Sequence, residues 1–271
     1  LKQASNYVEE HANNKTPSKI TIDDLASAAN YKGKLTIEDG KLCVTSNASE
    51  EERKVAKDLG IKTEEPITFT KQGELALGSE VTASNGEAFY VIGEDAVGTT
   101  ITTDSTKDIL LLAKYNLKKE NDEITLKQDT TGASNECSFS SDNYWSGVTG
   151  ITYPADLNDV ETYPIGSATS IVTKAKTYGE SLGATGRLMT YEEASALETN
   201  YSSILYGENT EKGYLNYWLG SANNSIYMYR VVGDLDYRNS GNEGLGGIDN
   251  FNNYRSYGVR PVIKVSKSLI K

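Results

Sequence analysis

Residues that commonly carry nucleophilic or metal-dependent chemistry are scarce in this chain. Among its 271 residues there is one histidine, His11, and there are only two cysteines. No Cys or His spacing of the zinc-binding type is present. His11 falls on a predicted N-terminal helix, far from the polar C-terminal segment described below, which argues against Ser-His-Asp catalysis. We therefore expect a protein that is not an enzyme and that holds no metal and no cofactor.

The two cysteines, Cys43 and Cys137, lie far apart in the sequence. Two alternatives stay open for them: one disulfide formed in an oxidising compartment, or two unrelated buried thiols. The stretch around Cys137 has no basic residue that would lower the pKa of its thiol. Cys137 is therefore not expected to act as a nucleophile.

Positive charge is also in deficit. Lys and Arg total 27 against 38 Asp and Glu, which gives a formal net charge of -11 and a pI near 4.8. This balance disfavours nucleic acid, because that affinity depends on neutralising phosphates, and it disfavours anionic membrane surfaces. The sequence has no apolar run of about 18 residues, as a membrane-spanning helix needs. Because the chain begins at Leu1 without a signal peptide, we expect that a preceding segment was removed by processing or by the design of the expressed fragment.

Tyrosine, in contrast, is abundant. The chain has 18 Tyr against four Phe and two Trp, a hydrophobic content of 37% and a mean hydropathy of -0.50. Its length suffices to bury a core in one large domain or two modest ones. A tyrosine-rich, acidic composition with almost no cysteine is typical of the outside of a bacterial cell, so we expect an extracellular location.

The first 60 residues are predicted to be mainly helical. An apolar stripe in residues 1–12 predicts a short helix, and Thr21 is placed to cap a second one. A capping box at Ser49-Glu50-Glu51-Glu52 begins a third helix. Between these helices, residues 37–44 predict a hairpin that turns at Asp39-Gly40.

After Pro66 the apolar pattern changes to alternation, which predicts strands. The run at residues 109–113 is apolar on both faces and is expected at the centre of a sheet. The predicted strands are Ile67–Phe69, Glu74–Val81, Ala88–Gly93, Ile109–Tyr115, Tyr217–Ser221, Ile226–Val232 and Val259–Val265.

Two further helices are predicted within this β-rich part. Residues 167–182 carry a clear buried stripe, and a second capping box at Thr190-Tyr191-Glu192-Glu193 begins the next helix. Residues 118–150 are predicted to be polar and turn-rich, and 187–189 to be a short extended link. The contrast between the two parts of the chain predicts a division into residues 1–70 and 71–271.

The C-terminal part contains a polar segment between two apolar stretches. Residues 217–221 and 258–263 have the composition of framework, whereas the segment between them is rich in Asn, Tyr, Gly, Ser and Asp. Tyr offers rigid contact area with a polar tip, and Asn, Ser and Gly offer adaptable hydrogen bonds, as in antibody paratopes. The alternative is a long, glycine-rich surface excursion that binds no partner. Trp218 and Arg260 are interpreted as framework, Arg260 as an ion pair or a clamp on carbonyls.

Six segments occur in a characteristic order, namely Ala88–Ile92, Ile109–Leu117, Tyr144-Trp145-Ser146, Thr185–Thr190, Tyr217–Ser221 and Tyr257–Ile263. This ordered set resembles bacterial extracellular domains with a C-type-lectin-like fold. The resemblance spans roughly residues 75–267. It implies a mixed α+β domain in which two helices flank small sheets, with an irregular ligand-facing surface near the C-terminus.

Among such domains, the polar segment resembles the variable region of proteins diversified by retroelements. In those proteins, adenine-directed mutagenesis yields mainly Asn, Ser, Tyr, Asp, Thr, Ile and Gly at surface positions of a fixed scaffold. The resemblance implies a ligand-binding surface formed by Asn223, Asn224, Tyr227, Tyr229, Asp234, Asp236, Tyr237, Asn239, Asn242, Asn250, Asn252, Asn253 and Tyr254.

The first 45 residues resemble the start of a type IV pilin ectodomain. Residues 1–12 would continue the long pilin helix, and residues 21–28 resemble the short helix that follows it. This resemblance implies a small helical, pilin-like N-terminal region and a removed membrane helix as the only membrane contact. It also implies that other pilin subunits are partners. A generic helical cap is the alternative.

The motifs of calcium-dependent lectins are missing from the sequence. No Glu-Pro-Asn, Gln-Pro-Asp or Trp-Asn-Asp occurs. Asp234, Asp236, Asn239 and Glu243 offer oxygen ligands, but their spacing departs from that of an EF-hand loop. They are interpreted as exposed loop acids.

The sequence therefore predicts a surface-displayed adhesin or receptor-binding protein, associated with a pilus. Its partner would be a protein or glycan on another cell or on a phage. One alternative is a structural pilin subunit without a dedicated ligand site. A remote alternative is an enzyme of the formylglycine-generating type, because some proteins with a C-type-lectin-like fold are enzymes of that type.

Overall fold

The computed structural model has a mixed α+β fold with five α-helices and several small sheets in its described part. It divides into two compact units, residues 1–67 with 181–183, and residues 68–180 with 184–271. The described residues are 1–14, 21–121, 123–130, 137–138, 155–158, 167–207, 215–222, 227–232, 247–252 and 256–271. Among them, no helix combines the length and the apolar character that crossing a bilayer requires.

The described residues of the first unit form three helices and a three-stranded sheet. The strands lie in the order β1-β2-β3, with β1 and β2 antiparallel and β2 and β3 parallel. The elements are α1 (Lys2–Asn14), α2 (Ile22–Ala28), β1 (Leu35–Glu38), β2 (Lys41–Val44), α3 (Glu50–Asp58) and β3 (Lys62–Thr63).

Short-range interactions explain where two helices of this unit begin and where its hairpin turns. Thr21 and Ser49 both form capping boxes, in which the hydroxyl accepts from the backbone of the residue three positions on. The β1–β2 turn uses Asp39 and Gly40 at φ of 50° and 73°, as a tight hairpin turn requires. These three predictions are confirmed. The core of the unit comprises Ala4, Val8, Ala26, Tyr31, Leu35, Leu42, Val44, Ala48, Ala56 and Ile61.

The second unit is built on a six-stranded sheet with the order β12-β17-β7-β6-β5-β4. Strand β7 pairs with β17 on one side and β6 on the other, which confirms the central position predicted from its apolar run. The strands are β4 (Phe69–Lys71), β5 (Glu80–Ala83), β6 (Ala88–Glu94), β7 (Asp108–Ala113), β12 (Thr185–Leu188) and β17 (Pro261–Ser266).

Smaller sheets contain the other described strands of this unit. A four-stranded sheet has the order β11-β13-β14-β15, and two pairs are formed by β10 with β16 and by β8 with β9. Their strands are β8 (Leu117–Glu120), β9 (Glu123–Gln128), β10 (Cys137–Ser138), β11 (Ala155–Asp156), β13 (Tyr217–Ala222), β14 (Tyr227–Val232), β15 (Gly247–Asn252) and β16 (Ser256–Tyr257).

The α-helices in the described part of the second unit are α4 (Ser167–Ser181) and α5 (Tyr191–Tyr206). Tyr178 of α4 lies beside Phe89, whose ring centroid is 6.4 Å away. Residues of α5 instead pack in a core with Tyr90, Leu112 and Val262. These three residues lie on the face of the sheet opposite to Phe89, because successive residues of a strand point to opposite faces. The two helices therefore cover opposite faces of the six-stranded sheet.

Three sequence predictions need correction. Residues 118–120 and 123–128, predicted to be turn-rich, lie in the paired strands β8 and β9; the charges of these strands obscured the alternation. Residues 187–188, predicted as part of an extended link, are extended but belong to strand β12, which pairs with β17. The predicted strand over residues 74–81 forms only from Glu80, because Gly78 has a φ of 83°, outside the extended region.

Candidate functional site

Four of the thirteen predicted binding residues lie within the described part of the chain. They are Tyr227, Tyr229, Asn250 and Asn252, on β14 and β15. The predictions for Asn223, Asn224, Asp234, Asp236, Tyr237, Asn239, Asn242, Asn253 and Tyr254 fall outside the described residues.

The pairing of β14 with β15 brings these four positions together. The antiparallel register places Tyr227 opposite Asn252 and Tyr229 opposite Asn250. Positions two apart on a strand, and positions directly opposite on its neighbour, share one face of a sheet. Two tyrosine and two asparagine positions therefore adjoin on one face of this strand pair.

Tyr229 shows where this face lies in the unit. Its side chain is half-buried and packs against the core that α5 shares with the sheets. Its ring stacks on that of Tyr191, with centroids 4.1 Å apart and planes inclined by 31°. Burial raises the pKa of the Tyr229 hydroxyl, and Tyr191 and Glu192 raise it further. Tyr229 thus stands at the margin of the core, partly anchored and partly open to solvent.

The next residue, Arg230, is held on the opposite face of β14. Arg230 is buried, and its guanidinium carbon lies 4.5 Å from the ring centroid of Tyr257. Tyr257 in turn meets the fully buried Trp218 edge-on at 4.8 Å. This stack confirms Trp218 as framework, whereas Trp145 lies outside the described residues.

Arg260 fixes the second framework stretch. It is completely buried and donates through Nε to the Ala113 carbonyl at 2.7 Å. Its Nη1 donates to the carbonyls of Ile204 and Leu205, each at 2.9 Å. The predicted clamp on carbonyls is confirmed, and it joins the end of α5 to the central strand.

Tyr191 was not identified from the sequence as a binding residue. It is the first residue of α5, where Thr190 caps the helix in a box with Glu193, and its amide donates to the Ser221 hydroxyl at 2.9 Å. The capping box predicts the start of the helix, but no local pattern brings Tyr191 to Tyr229. Only the tertiary packing of α5 on β14 makes this pair.

One group of possible metal ligands occurs in the described part, namely Glu38, Cys43 and Glu64. Their ligand atoms lie within 4.8 Å of one another. Lys62 forms a close ion pair with Glu38, and the Ser46 amide donates to Glu64 at 3.0 Å. Burial raises the pKa of the Cys43 thiol, and the two carboxylates raise it further. Lys62 already supplies a positive charge to Glu38, and Glu64 is held by the Ser46 amide, so both carboxylates of the group have partners within the unit.

The other residues considered for catalysis or metal binding either make structural contacts or lie outside the described residues. Cys43 is buried and makes no disulfide, so the thiol alternative applies to it. His11 lies on α1, where its Nδ1 is 2.8 Å from the Tyr7 carbonyl oxygen and its ring stacks on Tyr7. The loop acids Asp234, Asp236, Asn239 and Glu243 fall outside the described part.

Comparison of the chain with protein-family models, with curated proteins and with solved structures found no match.

Proposed function

We propose that this protein is an extracellular, surface-displayed adhesin or receptor-binding protein. The observation that carries the proposal is the register of β14 and β15, in which Tyr227 faces Asn252 and Tyr229 faces Asn250. Tyrosine and asparagine positions are thus grouped on one face, beside framework that is buried and clamped. The ligand is a protein or glycan on another cell or on a phage.

Rigidity makes this arrangement suitable for binding. The framework strands are anchored by Arg260 and by the Trp218–Tyr257–Arg230 stack. Tyrosines held on such a support bury area on binding at a low cost in side-chain entropy, while asparagines supply directional hydrogen bonds. A binding role of this kind requires neither catalysis nor a cofactor.

The finer part of the proposal is a C-type-lectin-like domain whose polar segment is diversified by a retroelement. The mixed α+β architecture, with α4 and α5 on opposite faces of the sheet that contains β17, supports this assignment. The test is genomic. A near-copy of the segment that encodes residues 217–263 is expected beside a reverse transcriptase gene, with differences confined to adenines. A locus without such a copy would contradict the retroelement origin but not the binding role.

The pilin-like N-terminal region remains part of the proposal, as the means of display on a pilus. A purely structural pilin subunit, the alternative, is expected to use the apolar stripe of residues 1–12 for contacts between subunits. In the structure, Ala4, Ser5 and Val8 of that stripe are buried within the first unit. These three positions are already occupied, so subunit contacts would need other residues of α1.

The binding role can be tested on arrays of glycans and of purified bacterial and phage surface proteins. Joint replacement of Tyr237, Asn239 and Asn242 by Ala should weaken capture of an array ligand. Each anchor residue lost is expected to cost about 1 kcal/mol or more.

A control variant replaces three exposed residues of the first unit, Lys32, Glu51 and Lys54, by Ala. It should bind like the unmodified chain. Unchanged capture by the first variant, or equal loss in both variants, would contradict the proposed function.

A further inference from the structure

Tyr191, Glu192 and Tyr229 form a feature that we call the tyrosine edge. The two ring centroids lie 4.1 Å apart with their planes inclined by 31°, and both residues are half-buried, so each keeps some surface open to solvent. Glu192, beside them at the start of α5, is exposed. A cation can therefore contact the tyrosines and the Glu192 carboxylate at the same time.

Both tyrosines are held in place before any ligand arrives. Tyr191 is fixed by the capped helix start and by the bond from its amide to Ser221 Oγ. Tyr229 is fixed by its packing against the core. Because the rings need little further ordering, contacts with a ligand are not offset by a large loss of side-chain freedom.

Glu192 is the acidic group next to the two rings, and the guanidinium of Arg230 lies on the opposite face of β14. Arg187, the basic residue nearest in sequence to this helix start, is paired through two bonds of 2.6 Å with Glu193. That ion pair neutralises Arg187 and Glu193, so Glu192 is the charged residue of this helix start that lies beside the rings. The net charge of -11 also attracts positively charged partners over longer distances.

We propose that the tyrosine edge binds an arginine side chain presented by a protein partner. The inference rests on the proposed function and specifies the ligand as a protein with a basic segment. A guanidinium is planar, stacks on tyrosine rings and donates to a carboxylate at the same time. A lysine ammonium is attracted by the same charges but cannot continue the stack.

Glu192 and Tyr229 of the tyrosine edge each also have a purely structural role. Glu192 stabilises the positive end of the helix in which it stands, and Tyr229 fills a margin of the core. These roles require no ligand. They also predict that a cationic peptide has no preferred position on the protein, which separates them from the proposal.

The experiment titrates the isotope-labelled full chain with the peptide acetyl-Gly-Arg-Gly-Arg-Gly-amide, observed through backbone amide resonances. Saturable shifts are expected at residues 190–193 and 229–231. The matched peptide has citrulline in place of arginine, which keeps the planar side chain and removes its charge. It should bind about two- to fivefold more weakly, as expected for the loss of one exposed cation–π contact. The lysine peptide should fall between the two.

Variants of the protein complete the test. Tyr191→Leu and Glu192→Gln should each weaken binding of the arginine peptide by about two- to fivefold. Tyr201→Leu on the same helix and Glu180→Gln on α4 should leave it unchanged. Preserved dispersion of the amide spectrum verifies that each variant folds. Equal binding of the arginine and citrulline peptides, or unaltered binding by both edge variants, would overturn the inference.

The outcome is separable from that of the proposed function. If the peptide does not bind at the edge but the Tyr237, Asn239 and Asn242 variant still loses array capture, only the arginine inference fails. If neither measurement responds, both fail. Edge binding together with capture that depends on Tyr191 supports both.

Discussion

Arg260 and Tyr217 meet in the interior of the second unit, where the guanidinium carbon lies 5.2 Å from the centroid of the Tyr217 ring. The Tyr217 hydroxyl donates to the Leu205 carbonyl at 2.7 Å, the same oxygen to which Arg260 Nη1 donates. One carbonyl at the end of α5 is therefore held from both framework stretches. These hydrogen bonds attach the two apolar stretches on either side of the polar segment to the same helix.

The first prediction concerns this clamp. Arg260→Met should lower the free energy of unfolding by about 3–5 kcal/mol, because several buried carbonyls lose a charged donor at once. Chemical denaturation measures the change. Arg187→Met serves as the matched control, since Arg187 and Glu193 form a partly exposed pair whose loss should cost about 1 kcal/mol or less. Equal losses in the two variants would contradict the clamp.

The second prediction concerns the close approach of α4 to β12. A Cβ built on Gly186 would lie 2.1 Å from the Ala175 carbonyl oxygen, and one on Gly179 would lie 2.2 Å from the Gly186 amide nitrogen. Backbone atoms cannot move aside as a flexible side chain does, so Gly186→Ala should cost about 3 kcal/mol, at the upper end for overpacking.

Gly33→Ala is the control for this prediction. It has a φ of 71° and no atom within 4 Å of the added Cβ, so only backbone strain of about 1 kcal/mol is expected. If Gly186→Ala unfolds no more readily than Gly33→Ala, the helix and strand are not packed as described.

The third prediction is a loss of stability in alkali. Burial raises the pKa of Tyr217 to about 12, although Arg260 lowers it in part; its ordinary value is about 10. The folded state keeps the proton longer than the unfolded state. The stabilisation is therefore complete below pH 10 and is lost as the pH rises through about 12. The loss from this residue reaches about 3 kcal/mol.

Unfolding followed at several pH values between 9 and 12, together with tyrosinate absorbance, measures this effect. Tyr217→Phe should be less stable at neutral pH, because it lacks the bond to Leu205, but its stability should fall less steeply with pH. An identical slope in the variant would contradict the assignment. Tyr178 contributes in the same direction, since burial beside Glu87 also raises its pKa.

The fourth prediction links helix capping to the tyrosine edge. Thr190→Ala removes the hydroxyl that accepts from the Glu193 amide, and should cost about 1 kcal/mol. It should also weaken binding of the arginine peptide, because Tyr191 follows directly on the cap. Thr190→Ser keeps the hydroxyl and should restore both properties. Restored stability without restored binding would show that the cap does not position Tyr191.

Local features of the fold were accessible from the sequence. The capping boxes at Ser49 and Thr190 and the Asp39-Gly40 turn depend on residues within four positions of one another, so their patterns are visible in a short window. The central position of β7 followed from its apolar composition. The β8–β9 hairpin was missed because lysines and glutamates occupy both faces of its short strands.

The site was accessible only in part. Composition pointed to the segment that contains Tyr229 and Asn250, but not to their pairing, because the register is set by interactions between strands. Tyr191 carries no local signal of its role, since its contact with Tyr229 depends on how α5 packs on β14. Long-range contacts of this kind are what a single sequence conceals.

The opposite placement of Tyr229 and Arg230 makes β14 tolerant of one kind of genetic change and intolerant of another. Substitution at position 229 exchanges a group at the margin of the core and leaves the stack of Arg230 on Tyr257 untouched. Insertion or deletion of a single residue within the strand would exchange the two faces and bring the guanidinium against α5. Variation in this strand is therefore expected to accumulate by codon replacement, with insertions and deletions of a single residue removed from it.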